Sequence, residues 1–441
     1  MPNLLDNPET SFFVIDPKGI TAMRSAVWRQ NQGHKIVIFN PYGEQAFELA
    51  KLGFTQFHGF NPLANLEPKS DRFSLNVRFI AEALVYGEKG SNKHFSDAAR
   101  GLVSFLIKYL VTEPTETPTL GRLYQLVAGG FDYLDTKAKD GGPDVFSKAQ
   151  LSSCESVRTG WRRWNSGSKE VTDVFSTAQT QLAFLDNPTL CRALTGGQFD
   201  FAALKKDKIT VYLILPFESI ITDEVRYLRL ILLSAMSQFY QTPKNRETLV
   251  ILDEFGNLGP LDVIKDGMGA IREYGVKLWP FLQSLSQLQE LYPKGWPGFI
   301  ANASVTSIFD INDPETAEYF SKRAGRILVP RITHQTNKSD TESLNKKTFL
   351  GLRIPQAQRG GADQTSTSGG TSTTDTETDA LPVADIYNLP GDGLLTFCKG
   401  QASPDKAVKL AAWRDEPFRS RSAAMFPEAA PRLARPVEET T

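Results

Sequence analysis

Two adjacent carboxylates, Asp253 and Glu254, stand directly after the apolar run Leu249-Val250-Ile251-Leu252. Such a run reads as a buried parallel strand whose polar end lies at the C-terminal edge of a sheet. That edge is where open α/β sheets bind ligands. An acidic pair there suits Mg²⁺-nucleotide chemistry. Asp253 can hold a hydrated Mg²⁺, which takes oxygen ligands and keeps several waters. Glu254 can orient or deprotonate a water that attacks a γ-phosphate. The same residues also read as an acidic start to a turn, because Asp-Glu-Phe-Gly-Asn holds good turn formers.

The following stretch must position this pair. Phe255 to Pro260 turns the chain, a helix is predicted from Leu261 to about Glu273, and Gly275 ends it. A second buried strand, Val276 to Leu282, stops at Gln283. Neighbouring strands would then present Asp-Glu and Gln to one edge, where a Gln polarises the attacking water and senses the γ-phosphate. Earlier, Ser11 to Ile15 closed by Asp16-Pro17-Lys18-Gly19, and Lys35 to Phe39, read as strands. From about Asp71 to Pro188 the pattern turns helical, with Phe95, Ala98, Ala99, Leu102, Phe105, Leu106 and Tyr109 forming a stripe. Alternating α/β character returns at Ile209 to Leu215.

A chain of 441 residues can bury a large core and divides into two or three domains. Hydrophobic content of 41% and charged content of 22% describe an ordinary soluble globular protein. A net charge of −1 excludes a global field that draws nucleic acid, so any such contact rests on local patches. One patch is Arg158-Thr159-Gly160-Trp161-Arg162-Arg163-Trp164, near Lys169. Basic residues interleaved with tryptophans bind a nucleic-acid backbone and stack on unpaired bases, or else belong to a half-buried helix. Cys154, Cys191 and Cys398 fit no metal spacing and suit a reducing compartment. No stretch reaches the roughly 18 apolar residues of a membrane span, and no signal-peptide pattern is present.

LDEFGNLG (252–259), IREYGVKLWPFLQSLSQLQELYPKGW (271–296) and ANASVTSIFDINDPETAEYFSKRAG (301–325) resemble the type IV secretion system coupling proteins. These are TraG/TraD-like conjugative DNA-transfer ATPases related to FtsK-like translocases. FVIDPKG (13–19), HFSDAARGLVSFLI (94–107), STAQTQLAFLDNPTL (176–190), VYLILPFE (211–218) and LPVADIYNLPGDGLLTFCKG (381–400) extend the match in the family's order. The resemblance implies a P-loop NTPase core of the RecA/FtsK-like α/β class, interrupted by an all-α domain. It implies ATP and Mg²⁺ as cofactors, with Asp253 holding the metal, Glu254 activating water and Gln283 sensing the γ-phosphate. Asp16 and Lys18 match a family motif beside the nucleotide. Arg272, eleven residues before Gln283, would project into a neighbouring subunit's site; alone it reads as a helix C-terminal cation. The implied partners are single-stranded DNA with its relaxase and relaxosome, the type IV secretion channel proteins, and five further copies in a hexameric ring. The implied place is the cytoplasmic side of the bacterial inner membrane.

The resemblance divides the chain into 1–70, a first part of the nucleotide-binding core; 71–190, the all-α domain; and 191–415, the second part of the core. A disordered loop is expected at 358–379, which is rich in Thr, Ser and Gly, and a flexible tail at 416–441. No G-x-x-x-x-G-K-[ST] occurs in the sequence. In the family, that loop and its helix precede a PNLL like residues 2–5. The chain is therefore expected to be the cytosolic part truncated after the Walker A loop, without the membrane anchor and itself cytoplasmic. Loss of the Walker A strand is expected to leave Leu249–Leu252 with an open flank, or with a foreign neighbour. Two functions remain open: a DNA-translocating motor, or an ATPase-deficient remnant or substrate-receptor module. The 441-residue chain alone is predicted to hydrolyse no ATP, since no N–H cradle and lysine hold the phosphates. Turnover that Glu254→Gln abolishes would overturn that prediction.

Overall fold

The apolar runs near the acidic pair become β1 (Ser11–Ile15), β2 (Lys35–Phe39), β3 (Ile209–Leu213), β4 (Thr248–Leu252) and β5 (Val276–Pro280). The computed structural model describes residues 1–441 except 87–92, 136–143, 244, 341–364, 402, 413 and 424–441. The five strands form one sheet in the order β2-β3-β1-β4-β5, and every neighbouring pair is parallel. β1 and β3 are buried along their whole length, which is why their sequences run continuously apolar instead of alternating. Phe12, Val14, Ile38 and Tyr212 pack on Leu4, Ala22 and Ala26 on one face. The helix Val225–Phe239 is buried nearly all round and lies against the helix Phe73–Leu84 of the inserted region.

That region is all helical where it is described: Phe73–Leu84, Lys93–Thr112, Leu120–Ala128, Glu155–Trp164 and Lys169–Leu182 are its longer helices. The stripe read from the sequence is its core, with Ala98, Leu102, Phe105, Leu106 and Tyr109 buried. Thr119 and Ser168 accept a backbone N–H at the starts of two of these helices, satisfying donors that the helix leaves free. Among the described residues no helix is long and apolar enough to cross a membrane.

The structure departs from the sequence reading at five places. Of the two outcomes expected beside Leu249–Leu252, an open flank is not found, because β1 pairs with β4 from Ser11↔Thr248 to Ile15↔Leu252. The sheet's edges are instead β2 and β5, and β5 keeps Leu278, Trp279 and Pro280 half-exposed. The single helix expected from Leu261 to Glu273 is broken into Asp262–Gly267 and a 3-10 turn, Ile271–Tyr274. Gly267 and Gly269, both poor helix formers, fall at the break.

Residues 191–415 are not one continuous part of the core. Val305–Val408 form a compact unit of their own, while residues 1–304 and the chain from Lys409 form the other. This second unit holds β6 (Val305–Ile308), β7 (Arg326–Asp340), β8 (Thr365–Asp379), β9 (Gly393–Cys398) and β10 (Asp405–Val408). Its sheet β10-β9-β6 is antiparallel, and Ile308, Ala317, Phe320, Leu395 and Phe397 form a separate core. Of the expected disordered loop, residues 365–379 pair with β7 along the whole of β8, and 358–364 lie outside the described residues. Backbone pairing needs no apolar side chain, so a Thr/Ser/Gly composition does not prevent a ribbon. In the expected flexible tail, Phe418–Ala423 is a helix. Phe418 packs with Leu5 and Ala412, and Arg421 donates to the Leu5 carbonyl at 2.6 Å and to Asp6 at 3.0 Å. Residues 424–441 lie outside the described residues.

Candidate functional site

β4 and β5 run side by side from Thr248↔Val276 to Leu252↔Pro280, and the pairing continues past both strand ends. Phe281 N–H donates to the Leu252 carbonyl at 3.0 Å, and Phe255 N–H donates to the Phe281 carbonyl at 3.2 Å. These bonds hold the residues after each strand level with one another, so Gln283 stands beside Glu254 and acts to lower its proton affinity. Asn257 Nδ2 donates to Glu254 Oε2 at 3.1 Å from the other side. Glu254 itself has φ 56°, ψ 36°, a left-handed conformation that costs a non-glycine residue about 1–2 kcal/mol. Strain of this kind gathers where a side chain must be aimed. Gly256 follows because the Gln287 amide lies over it, 2.0 Å from where a Cβ would stand. Gln287 Oε1 in turn accepts the Gln283 backbone N–H at 3.1 Å.

The electrostatics match a site awaiting a cation. Burial pushes the Asp253 carboxyl up, opposed by the Glu254 N–H, the Met1 α-amino group and Lys18. Glu254 is pushed up by burial and then by Asp253, with Lys18 and Gln283 opposing. Lys18 is solvent-exposed and follows β1, the strand beside β4, and its charge favours ionisation of both carboxyls. Asp16 has a different task. It is buried, its Oδ2 accepts the Ala22 N–H at 2.7 Å, and it thereby caps the helix Ile20–Asn31, which enters through Gly19 at φ 67°. Burial pushes the Asp16 carboxyl up to about 6. Its lone pairs serve the helix, and it borders the site without facing it as a free ligand.

Arg272 is not part of this cluster. It is exposed in the turn before β5, and its Nη1 donates to Ser304 Oγ at 3.5 Å. A five-residue strand, about 16 Å long at 3.3 Å per residue, separates it from Gln283. Asn257 was not picked out from the sequence as a functional residue. Its signal there was only an Asn in a turn, and its bond to Glu254 is visible only in three dimensions. Among the described residues no three His, Cys, Asp or Glu side chains converge on one point. One or two carboxylates with waters completing the shell are the set that Mg²⁺ takes, so the donors fit that ion.

Residues 1–350 match the family model described as Type IV secretory system Conjugative DNA transfer. The conjugal transfer protein TraG of Agrobacterium fabrum (strain C58) is 24% identical over 340 residues, covering 74% of this chain and 48% of that protein. Protein VirD4 of Rhizobium radiobacter is 24% identical over 326 residues, covering 71% of this chain and 44% of that protein. The chain thus spans about half the length of these curated relatives. Among solved structures, the unbound bacterial conjugative coupling protein TrwBdeltaN70 superposes with a TM-score of 0.61 at 17% identity, over 91% of this chain and 78% of that one. TrwB in complex with ADP and Mg²⁺ gives a TM-score of 0.55 at 17% identity, over 94% of this chain and 88% of that one. The chain therefore shares the α/β fold of TrwB.

The left-handed backbone at Glu254 yields a stability prediction. Glu254→Gly removes the Cβ clash and one of two crowded carboxylates. It is expected to leave the unfolding free energy from urea titration unchanged or higher, by up to about 1 kcal/mol, although the side-chain bond to Asn257 is lost. A value lower than that of Glu254→Ala, which loses the same side-chain bond but keeps the Cβ, would show that Glu254 carries no strain.

Proposed function

The chain belongs to the type IV secretory conjugative DNA-transfer family, and on that premise we propose that it is the nucleotide- and DNA-handling part of a coupling protein. It works at the cytoplasmic face of the bacterial inner membrane and passes relaxase-bound single-stranded DNA to a type IV secretion channel. The observation that carries this reading is that paired strands β4 and β5 deliver Asp253, Glu254 and Gln283 to the one sheet edge where strand ends collect.

Asp253 would hold Mg²⁺, and that ion would neutralise charge on the nucleotide phosphates. Glu254 accepts a proton from the attacking water, a role that its raised proton affinity favours. Gln283 and Asn257 fix the orientation of its carboxylate, which is worth more than the bonds themselves, because a base must sit within hydrogen-bond reach of the proton it takes. Lys18 limits the repulsion between the two acids. Arg272, exposed at the opposite sheet edge, would act on a neighbouring protomer's site. A head-to-tail contact of that kind closes into a ring, here a hexamer.

The basic helix Glu155–Trp164 supplies a DNA-facing surface. Trp164 is buried and its ring lies against Gly101, so it belongs to the core. Trp161 is half-buried, and Arg158, Arg162 and Arg163 are exposed. Trp161 is thus the tryptophan of this run that can stack on a base while the arginines follow the phosphates.

In the cell that carries the protein, Glu254→Gln is expected to abolish DNA transfer with the protein level unchanged; undiminished transfer would sink the nucleotide reading. Trp161→Ala is expected to weaken single-stranded DNA binding by about 1–3 kcal/mol, on a background affinity that falls steeply with salt. Unchanged binding together with a lowered melting temperature would assign Trp161 to the core.

A further inference from the structure

Tyr86, just beyond the helix Phe73–Leu84, lies between two guanidinium groups. Arg226 is 4.4 Å and Arg229 4.1 Å from its ring centroid. Both arginines belong to the helix Val225–Phe239 and are almost wholly buried, 3% and 2% exposed. Two buried cations one turn apart are an expensive arrangement unless each is engaged. Arg226 pairs with Asp223 at 2.7 Å and donates to Gln181 Oε1 at 3.0 Å. Arg229 instead spends its Nη1 on backbone, donating to the Leu258 carbonyl at 2.6 Å and the Pro260 carbonyl at 3.0 Å. Burial pushes its guanidinium down to about 10, which leaves it charged at neutral pH. Charge-assisted bonds of this kind are among the stronger ones.

The two carbonyls sit in the loop that follows Glu254 and carries Asn257. The loop is held elsewhere too, Phe255 packing on Tyr292 and Phe299 and the Gln287 amide lying over Gly256. Gly256, Asn257 and Gly259 line a cleft of about 440 Å³ together with Tyr86, Ile221 and Asp223. Gly259 has φ 69°, which gives the loop a glycine pivot. Arg229 thus holds the Leu258–Pro260 end of the loop, the end that borders the cleft. The helical region joins the same cluster through Gln181, whose Oε1 also accepts the Tyr86 N–H at 3.1 Å. The Tyr86 hydroxyl is buried and finds no partner among the described residues, so what Tyr86 offers the arginines is its ring face.

We propose that Arg229 is a positioning residue for Glu254, and that Tyr86 is the link through which the helical region sets the loop Phe255–Pro260. Contacts run without a break from Gln181 through Arg226, Tyr86 and Arg229 to the two carbonyls, and from Asn257 to Glu254. An event that shifts the helix Lys169–Leu182 against the helix Val225–Phe239 changes the hold on the loop, and so the aim of the carboxylate. The role assigned to Glu254 rests on the nucleotide reading above, but the coupling between helices and loop does not.

Amide hydrogen exchange on the chain without nucleotide tests it. Tyr86→Leu keeps apolar volume but removes the stacking face, and is expected to speed exchange at residues 255–261 by on the order of tenfold. Tyr86→Phe keeps the ring and loses only the unpaired hydroxyl, so it is expected to match the wild type. Gln181→Ala, in which the lost amide bonds only Arg226 and Tyr86, is expected to speed the same loop amides. Changes confined to the helices Phe73–Leu84, Lys169–Leu182 and Val225–Phe239, with 255–261 unaltered, would overturn the proposal. Should Tyr86→Leu not fold, Gln181→Ala decides by itself. Retained DNA transfer in Glu254→Gln would defeat the nucleotide reading and leave this exchange result standing.

Discussion

Parallel neighbours in a sheet cannot be joined by a two-residue turn, so each of the five strands here returns by a crossover before it pairs. All five strand ends therefore point to one edge. Asp16, Asp253 and Gln283 follow three different strands and arrive together only because of that constraint. β1 lies between β3 and β4, which sets Lys18 beside an acidic pair far away in the sequence. A hairpin arrangement of the same strands would have sent half of these residues to the opposite edge, where Arg272 lies.

The edge is electrostatically incomplete by construction. Two partly buried carboxylates repel each other and resist ionisation, and the neighbouring Asp16 is committed to the end of a helix. Lys18, Gln283 and Asn257 offset part of this, and a divalent cation would offset the rest. Glu254 adds backbone strain through its left-handed conformation. Strain and unpaired charge at one point, held by regular strands on either side, are the usual state of a site whose stabilising partner is a ligand.

The helix Val225–Phe239 connects this edge to the inserted helices. Its residues are buried nearly all round, so it can carry Arg226 and Arg229 only because each has acceptors waiting. Those acceptors come from two sources: Asp223 with the helical region's Gln181, and the loop after Glu254. The second unit, Val305–Val408, builds its own sheet and core.

The amino-acid sequence by itself determined what is local. A continuous apolar run ending in Asp-Glu or Gln declares a buried strand with its functional end, and the stripe from Ala98 to Tyr109 declares an amphipathic helix. Both follow from the short periods of strand and helix. Only the tertiary structure decided who stands next to whom. β1 fills the flank of β4 that could have lain open, Asp16 serves a helix, and Arg272 is carried to the far edge. The polar Thr/Ser/Gly segment pairs as β8, and Arg229, unmarked in the sequence, grips the loop after Glu254. Strand order, capping and buried-charge partners are long-range choices, set by which surfaces can be buried together and which hydrogen-bonding groups must be met when they are.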